Sequence, residues 1–267
     1  MEPIVAVAQF APTADTVANL ATIGRLAREA AARGAGLVVL PEYASYFDRR
    51  PGPSFVRHAE RLDGPFVRAL AALADELRIV IVAGLVEVSA EPDRFRNTLV
   101  AVVPDAGLVA TYSKLHLYQS FGGNEAQWIE PGPIDAPGTF RWAGFTVGLE
   151  TCYDVRFPEV TRRLVDAGAD LVVVPAAWVP GELKEHHWRT LITARAIENT
   201  VYVAASGQTA PSGIGVSLIV DPMGAPLVQL GDHEGLAAAA VSPQRVAEVR
   251  ERNPSLAVRR FGTHPLA

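Results

Sequence analysis

Gly34-Ala-Gly-Leu-Val-Val-Leu-Pro-Glu42 returns in the second half of the chain as Gly168-Ala-Asp-Leu-Val-Val-Val-Pro-Ala176. In each copy an apolar run of strand length follows a glycine that can end a helix, and the run meets a proline, which cannot donate to a ladder. A continuous apolar run, rather than an alternating one, is the pattern of a strand buried on both faces. The flanking segments repeat as well. Residues 16–33 place Val17, Leu20, Ile23 and Leu26 at helical spacing, with Asp15 able to cap the start, and residues 158–167 do the same with Val160, Leu164 and Val165 behind Pro158. Apolar strands at 4–8 and 145–149 precede these helices. Helices at 65–77 and 184–199 and strands at 79–88 and 200–205 follow the two repeats. A hairpin around Pro104-Asp-Ala-Gly107 is replayed at 216–230. Both halves therefore read β-α-β-α-β-β-β.

Such a half can cover only one face of its sheet with helices. Two of them bury the remaining faces by packing sheet against sheet, which predicts an α/β four-layer αββα sandwich in one domain over residues 1–267. The competing arrangement is a doubly wound open sheet with helices on both faces. In the sandwich, Cys152 ends the first strand of the second half, Glu42 ends the second strand of the first half, and Lys114 follows the last strand of the first half. All three can meet at one rim.

Composition narrows the function. The 267 residues are 49% hydrophobic and carry 24 basic against 29 acidic side chains, net −5, with no long basic run. A nucleic-acid partner would find no electrostatic footprint. No run approaches the roughly 18 apolar residues of a membrane span, the N-terminal segment enters a strand without a basic, long-apolar leader, and a single cysteine permits no internal disulfide. The expectation is a cytoplasmic protein with no membrane partner.

Cys152 lies at a strand-to-helix turn, where a helix N-terminus favours thiolate over thiol. A lone cysteine is otherwise a small buried hydrophobe. Glu42 has Ala176 as its counterpart, so the fold does not itself demand a carboxylate there, and a glutamate at the edge of an apolar sheet suits a general base. Lys114, followed by Leu115, His116, Leu117 and Tyr118, could favour a nearby thiolate and hold an oxyanion. His186 and His187 are adjacent and point apart on a helix, no metal-ligand spacing occurs, and neither a GxGxxG nor a P-loop is present. No metal and no cofactor is expected. The long segment to Gly138 carries Phe121, Trp128 and Ile129, which need somewhere to pack, so it reads as a binding loop rather than a linker.

Taken together, Leu40-Pro-Glu42, Tyr112-Ser-Lys-Leu-His116 and Cys152-Tyr-Asp-Val-Arg-Phe-Pro-Glu159 resemble the motifs of the nitrilase (carbon–nitrogen hydrolase) superfamily. The likeness runs over nearly the whole chain, through Ala194-Arg-Ala-Ile-Glu-Asn199 and residues 217–224. It implies an αββα fold, homodimers or larger homo-oligomers, and a cofactor-free Glu-Lys-Cys triad of Glu42, Lys114 and Cys152. Glu125, ahead of Pro131-Gly132, matches a second glutamate of the family. The implied chemistry is hydrolysis of a small-molecule amide through a thioester, with ammonia leaving and the oxyanion held by Lys114 and the backbone N–H of Tyr153.

Cys-Tyr-Asp resembles the amidase-like members acting on deaminated glutathione or ω-amides. Arg156 matches a position where related N-carbamoyl-amino-acid hydrolases hold a carboxylate, against the plainer reading of an ion pair with Asp154 or Glu159. Glu150 departs from the family pattern. Strand alternation puts it on the face of Cys152, among the substrate contacts, where it would repel acidic substrates or raise the thiol pKa. Loops 43–53, 119–130 and 178–187, with Trp178, set the pocket. An N-carbamoyl amine or amino acid hydrolase or a nitrilase of the same family, a catalytically silent interaction homologue and a metal-dependent phosphoesterase are the alternatives.

Overall fold

The repeat becomes two six-stranded sheets in the computed structural model, which describes residues 2–120 and 123–265. The first half runs β1 (Ile4–Gln9), α1 (Thr16–Ala32), β2 (Leu37–Val39), α2 (Pro53–His58), α3 (Pro65–Leu77), β3 (Val80–Val88), β4 (Phe95–Val103) and β5 (Gly107–Ser113). The second runs β6 (Thr139–Trp142), β7 (Phe145–Leu149), α4 (Pro158–Asp166), β8 (Leu171–Ala176), α5 (Lys184–Asn199), β9 (Tyr202–Gly207), β10 (Leu218–Val220) and β11 (Pro226–Gln229). Then follow β12 (Gly235–Ala240) and α6 (Pro243–Arg252). Sheet orders are β12-β1-β2-β3-β4-β5 and β11-β10-β9-β8-β7-β6.

In each half the first three strands of the repeat are parallel and the hairpin is antiparallel. The doubly wound alternative is thereby excluded. Strands β6 and β12 and helices α2 and α6 are additions to the repeat. β12 leaves the second half to pair antiparallel with β1 of the first.

Three apolar clusters make the layers. Ile23, Leu26 and Ala30 of α1 and Phe66 and Leu70 of α3 pack on the outward residues of the first sheet, Ala6, Val38 and Ile81. The alternate residues Val5, Leu37, Val39 and Val82 meet Val147, Leu149, Leu171 and Val173 of the second sheet. Trp188, Ile192 and Ala196 of α5 close the far side on Val172, Val174 and Val203. Strict alternation of in and out along a strand sends an unbroken apolar run into both interfaces at once. As anticipated, Asp15 caps α1, accepting from the N–H groups of Val17 and Ala18.

Candidate active site

The β2 segment loses its regular register early, while the Pro41 carbonyl and the Ser45 N–H stay bonded to Gly84 of β3. Pairing ends at Val39, Tyr43 takes φ 56°, and Glu42 turns into the rim between the sheets. Gly84 of β3 makes this possible, because a Cβ there would lie 2.3 Å from the Tyr43 nitrogen and 2.8 Å from the Glu42 Cα. Glu42 is 1% exposed. Its Oε1 accepts from Asn97 Nδ2 at 2.6 Å and Lys114 Nζ at 3.0 Å, and its Oε2 from the Ala177 N–H at 2.6 Å. Charge-assisted bonds of this kind hold the carboxylate in one orientation.

Lys114 is as buried as Glu42 and lies 2.8 Å from Glu125 Oε2. Burial alone would lower its pKa, but the charges of Glu125 and Glu42 outweigh it and hold the ammonium above its ordinary range. Glu125 opens a short 3-10 helix (Glu125–Gln127) in the long loop and accepts from the Tyr43 hydroxyl at 3.1 Å and the Tyr118 N–H at 2.7 Å. Its pKa is raised by burial, with Lys114 opposing. Trp128 and Ile129 pack with the aromatic cluster of Tyr43, Phe55 and Phe95, while Phe121 lies outside the described residues.

Cys152 differs from expectation in its setting. A five-residue 3-10 helix (Cys152–Arg156) intervenes between β7 and α4, so the thiol stands at its first position and not at the start of α4. Its φ of 46° is the left-handed region that a non-glycine residue adopts only under constraint. Burial first and the Glu42 carboxylate second push the thiol pKa well above the ordinary value, with Lys114 pulling the other way. A thiol and a carboxylate on one cavity wall are an arrangement that can serve as nucleophile and base. The backbone N–H of Tyr153, second in the 3-10 turn, has no acceptor within that turn.

Glu42, Lys114, Glu125 and Cys152 all line one cavity of about 930 Å³. Tyr153 and Trp178 line it too, and so do Arg49, Arg50 and Lys184. Its walls come from the three loops picked out in the sequence.

Two expected substrate contacts are placed elsewhere. Glu150 is fully buried behind the turn, its Oε2 accepting from Thr161 of α4 at 2.6 Å, and it does not border the cavity. The strand ends at Leu149, so alternation no longer governs Cys152 and the two side chains do not share a face. Burial raises the Glu150 pKa to about 8. Arg156 also lies outside the lining. Its guanidinium sits 4.8 Å over Trp178 and 6.0 Å over Tyr153, and among the described residues no ion pair to Asp154 or Glu159 forms.

Sequence reading missed Asn97, Tyr43 and the Ala177 N–H. A lone glycine inside the apolar run of β3 was the available signal for a close backbone approach there.

A family model described as carbon-nitrogen hydrolase matches residues 4–251. Deaminated glutathione amidase of Escherichia coli O157:H7 is 39% identical over 259 residues, covering 97% of each chain. The crystal structure of XC1258 from Xanthomonas campestris, a CN-hydrolase superfamily protein with an arsenic adduct in its active site, is 27% identical. It superposes with a TM-score of 0.86 over 99% of this chain and all of that one. A glutamate-to-glutamine mutant of the amidase from Nesterenkonia sp. AN1, seen after Michael addition of acrylamide to its active-site cysteine, is 27% identical with a TM-score of 0.79. That match covers 96% of this chain and all of the other.

Proposed function

The chain belongs to the carbon–nitrogen hydrolase family and is a cysteine-dependent hydrolase of small C–N bonds, and from that membership we propose that it cleaves an amide through a thioester on Cys152. The observation that carries the reading is the convergence of the Glu42 carboxylate, Lys114 Nζ 3.0 Å from it, and the Cys152 thiol in the wall of one cavity. Glu42 takes the thiol proton as Sγ bonds to the amide carbon. The oxyanion is held by Lys114 and the Tyr153 N–H. Glu42 then passes its proton to the departing amine as the C–N bond breaks. Water enters, Glu42 removes its proton, hydroxide adds to the thioester, and as the C–S bond breaks Glu42 returns that proton to sulfur, restoring thiol and carboxylate and freeing the carboxylic acid product. Glu125 orients Lys114 throughout.

The substrate is an amide with a carboxylate remote from the scissile bond. Arg49, Arg50 and Lys184 line the cavity against Asp48, while Glu42 and Glu125 are engaged with Lys114. With Glu150 buried behind the turn, its objection to an acidic substrate falls away. An N-carbamoyl amino acid is the second reading, in which the Arg156 guanidinium, 4.8 Å over the ring of the cavity-lining Trp178, would supply the charge for its carboxylate. We also propose one domain over residues 1–267, a cytoplasmic location and a homodimer. For the first, the family match spans nearly the whole chain. For the second, no helix among the described residues is long and apolar enough to cross a membrane. For the third, Ile197 on α5 and Phe261 in the C-terminal tail are exposed apolar surface.

Ammonia release from a panel of acidic amides, neutral amides and carbamoyl amino acids tests this. Acidic amides should turn over fastest and Cys152→Ala should release none. Release that survives the substitution sinks the thioester route.

A further inference from the structure

Lys114 and Cys152 belong to different sheets. Lys114 directly follows β5, the edge strand of the first sheet, and Cys152 follows β7 in the second. What lies between the sheets is apolar packing, which is strong but non-directional and does not fix two groups to a fraction of an ångström. Directional bonds cross this gap elsewhere, from Ser206 to the Ala8 carbonyl and from the Ala177 N–H to Glu42, and beside Lys114 a buried side chain of the Cys152 turn supplies them.

Asp154, two residues after the nucleophile in the 3-10 turn, is fully buried. Its Oδ2 accepts from the Tyr112 hydroxyl at 2.8 Å, and its Oδ1 accepts from the His116 backbone N–H at 2.9 Å and lies 2.8 Å from His116 Nδ1. Tyr112 and His116 are the residues two before and two after Lys114. The same turn also presents Phe157, whose ring stacks on the His116 imidazole at 3.6 Å between centroids and 7° between planes. Asp154 is itself held by the backbone, its N–H donating to the Thr151 carbonyl and its carbonyl accepting from the Phe157 N–H. Arg195 Nε fixes the next carbonyl, that of Val155, at 2.9 Å. The Tyr112 phenol stays a donor, because burial and the Asp154 charge raise its pKa well above the usual value.

We propose that Asp154 is a positioning residue for the hydrolysis: from the turn that carries Cys152 it clasps the chain on both sides of Lys114 and so sets the separation of ammonium and thiol. The inference rests on the roles given to Cys152 and Lys114 above. A misplacement of about 1 Å in such a pair is worth on the order of a hundredfold in rate. Asp154 does not line the cavity, so it acts by placing the residues that do, Lys114 and Cys152.

The test uses Asp154→Asn, which keeps the shape but turns one acceptor into a donor facing Tyr112 or His116. Tyr112→Phe removes a single bond and serves if the first variant does not fold. Two readouts are taken on folded protein: kcat and KM for the best amide of the panel, and the pH dependence of Cys152 alkylation by iodoacetamide. Asp154→Asn should lower kcat about a hundredfold with KM within about threefold, and should move the alkylation midpoint upward by about one pH unit as Lys114 withdraws from the thiol. Tyr112→Phe should move both in the same directions by less. Wild-type kcat and midpoint in a folded variant, whatever its melting temperature, overturn the proposal. Should the wild-type protein hydrolyse no amide, the proposed function fails, while the alkylation midpoints still decide whether the clasp sets the thiol's surroundings.

Discussion

The nonapeptides 34–42 and 168–176 are nearly the same sequence and yet do opposite things at their ends. In the second half β8 runs straight on, and Pro175 and Ala176 still pair with Ser206 and Gly207 of β9. In the first half pairing of β2 with β3 stops after Val39, and the chain bends to deliver Glu42 to the cavity. The registers Leu37–Val80 and Leu171–Tyr202 make Gly84 the counterpart of Ser206. Half one has no side chain where the bend presses its backbone on β3. Half two has a hydroxyl there, which bonds the Ala8 carbonyl across the sheets at 2.6 Å. The unbent half still serves the bent one, since the residue after Ala176 donates its N–H to Glu42. One copy of the repeat was broken to present a carboxylate, and the other stayed regular to hold it.

The comparison breaks most severely at Glu42. Glu42→Gln keeps the shape and the bonds to Lys114 but cannot take the thiol proton, so kcat should fall by about 10³ or more, with a folded protein by circular dichroism. Adding Ala176→Glu to that variant should restore nothing, because position 176 faces the apolar cluster under α5 rather than the cavity. Recovery of activity in the double variant would show the two strand ends to be interchangeable.

A smaller effect is expected from importing the second half's residue into the first. The Gly84→Ser side chain would begin 2.3 Å from the Tyr43 nitrogen, a distance real contacts do not show, so the turn must shift. Steady-state kinetics should give about a hundredfold lower kcat, alongside a lowered melting temperature. Full activity would mean that the bend does not depend on the missing Cβ.

The broken strand explains how far the sequence could be read. The layers were legible because runs such as 37–40 and 171–174 are apolar without interruption, which only burial between two layers explains. The short β6 gave too few residues for a period, and β12, mostly alanine, fits helix and strand alike. Glu42, Lys114 and Cys152 could be placed at one rim by counting strands. The partners that hold them could not. Asn97 is a polar residue within β4 whose role depends on a bond to a residue 55 positions away. Alternation does not place Glu150 beside Cys152, because β7 ends at Leu149 and Cys152 lies three residues beyond it.

Glu150 also gives the prediction with the least effect on activity. The registers Val5–Leu37 and Val147–Leu171 pair it with Ala8, so one half buries a methyl group where the other buries a carboxyl. Only Oε2 of that carboxyl is hydrogen-bonded, to Thr161, and Oε1 is buried without a partner among the described residues. Burial, with the nearby Asp154 charge acting in the same direction, raises its pKa from 4.5 to about 8. In the unfolded chain the group ionises from 4.5 upward, while the folded protein keeps it neutral until about 8. The unfolded state thus loses its proton first, and through this window the group lowers stability by about 1.4 kcal/mol per pH unit. Below the window both states are protonated and no penalty exists; above it both are ionised and the penalty stops growing. Glu150→Gln should leave kcat within about threefold, since the side chain does not border the cavity. In urea melts from pH 5 to pH 8 its stability relative to wild type should climb steadily with pH. A difference that stays flat over that range would mean that Glu150 is already ionised in the fold, its charge met by a partner that Ala8 in the other half never needed.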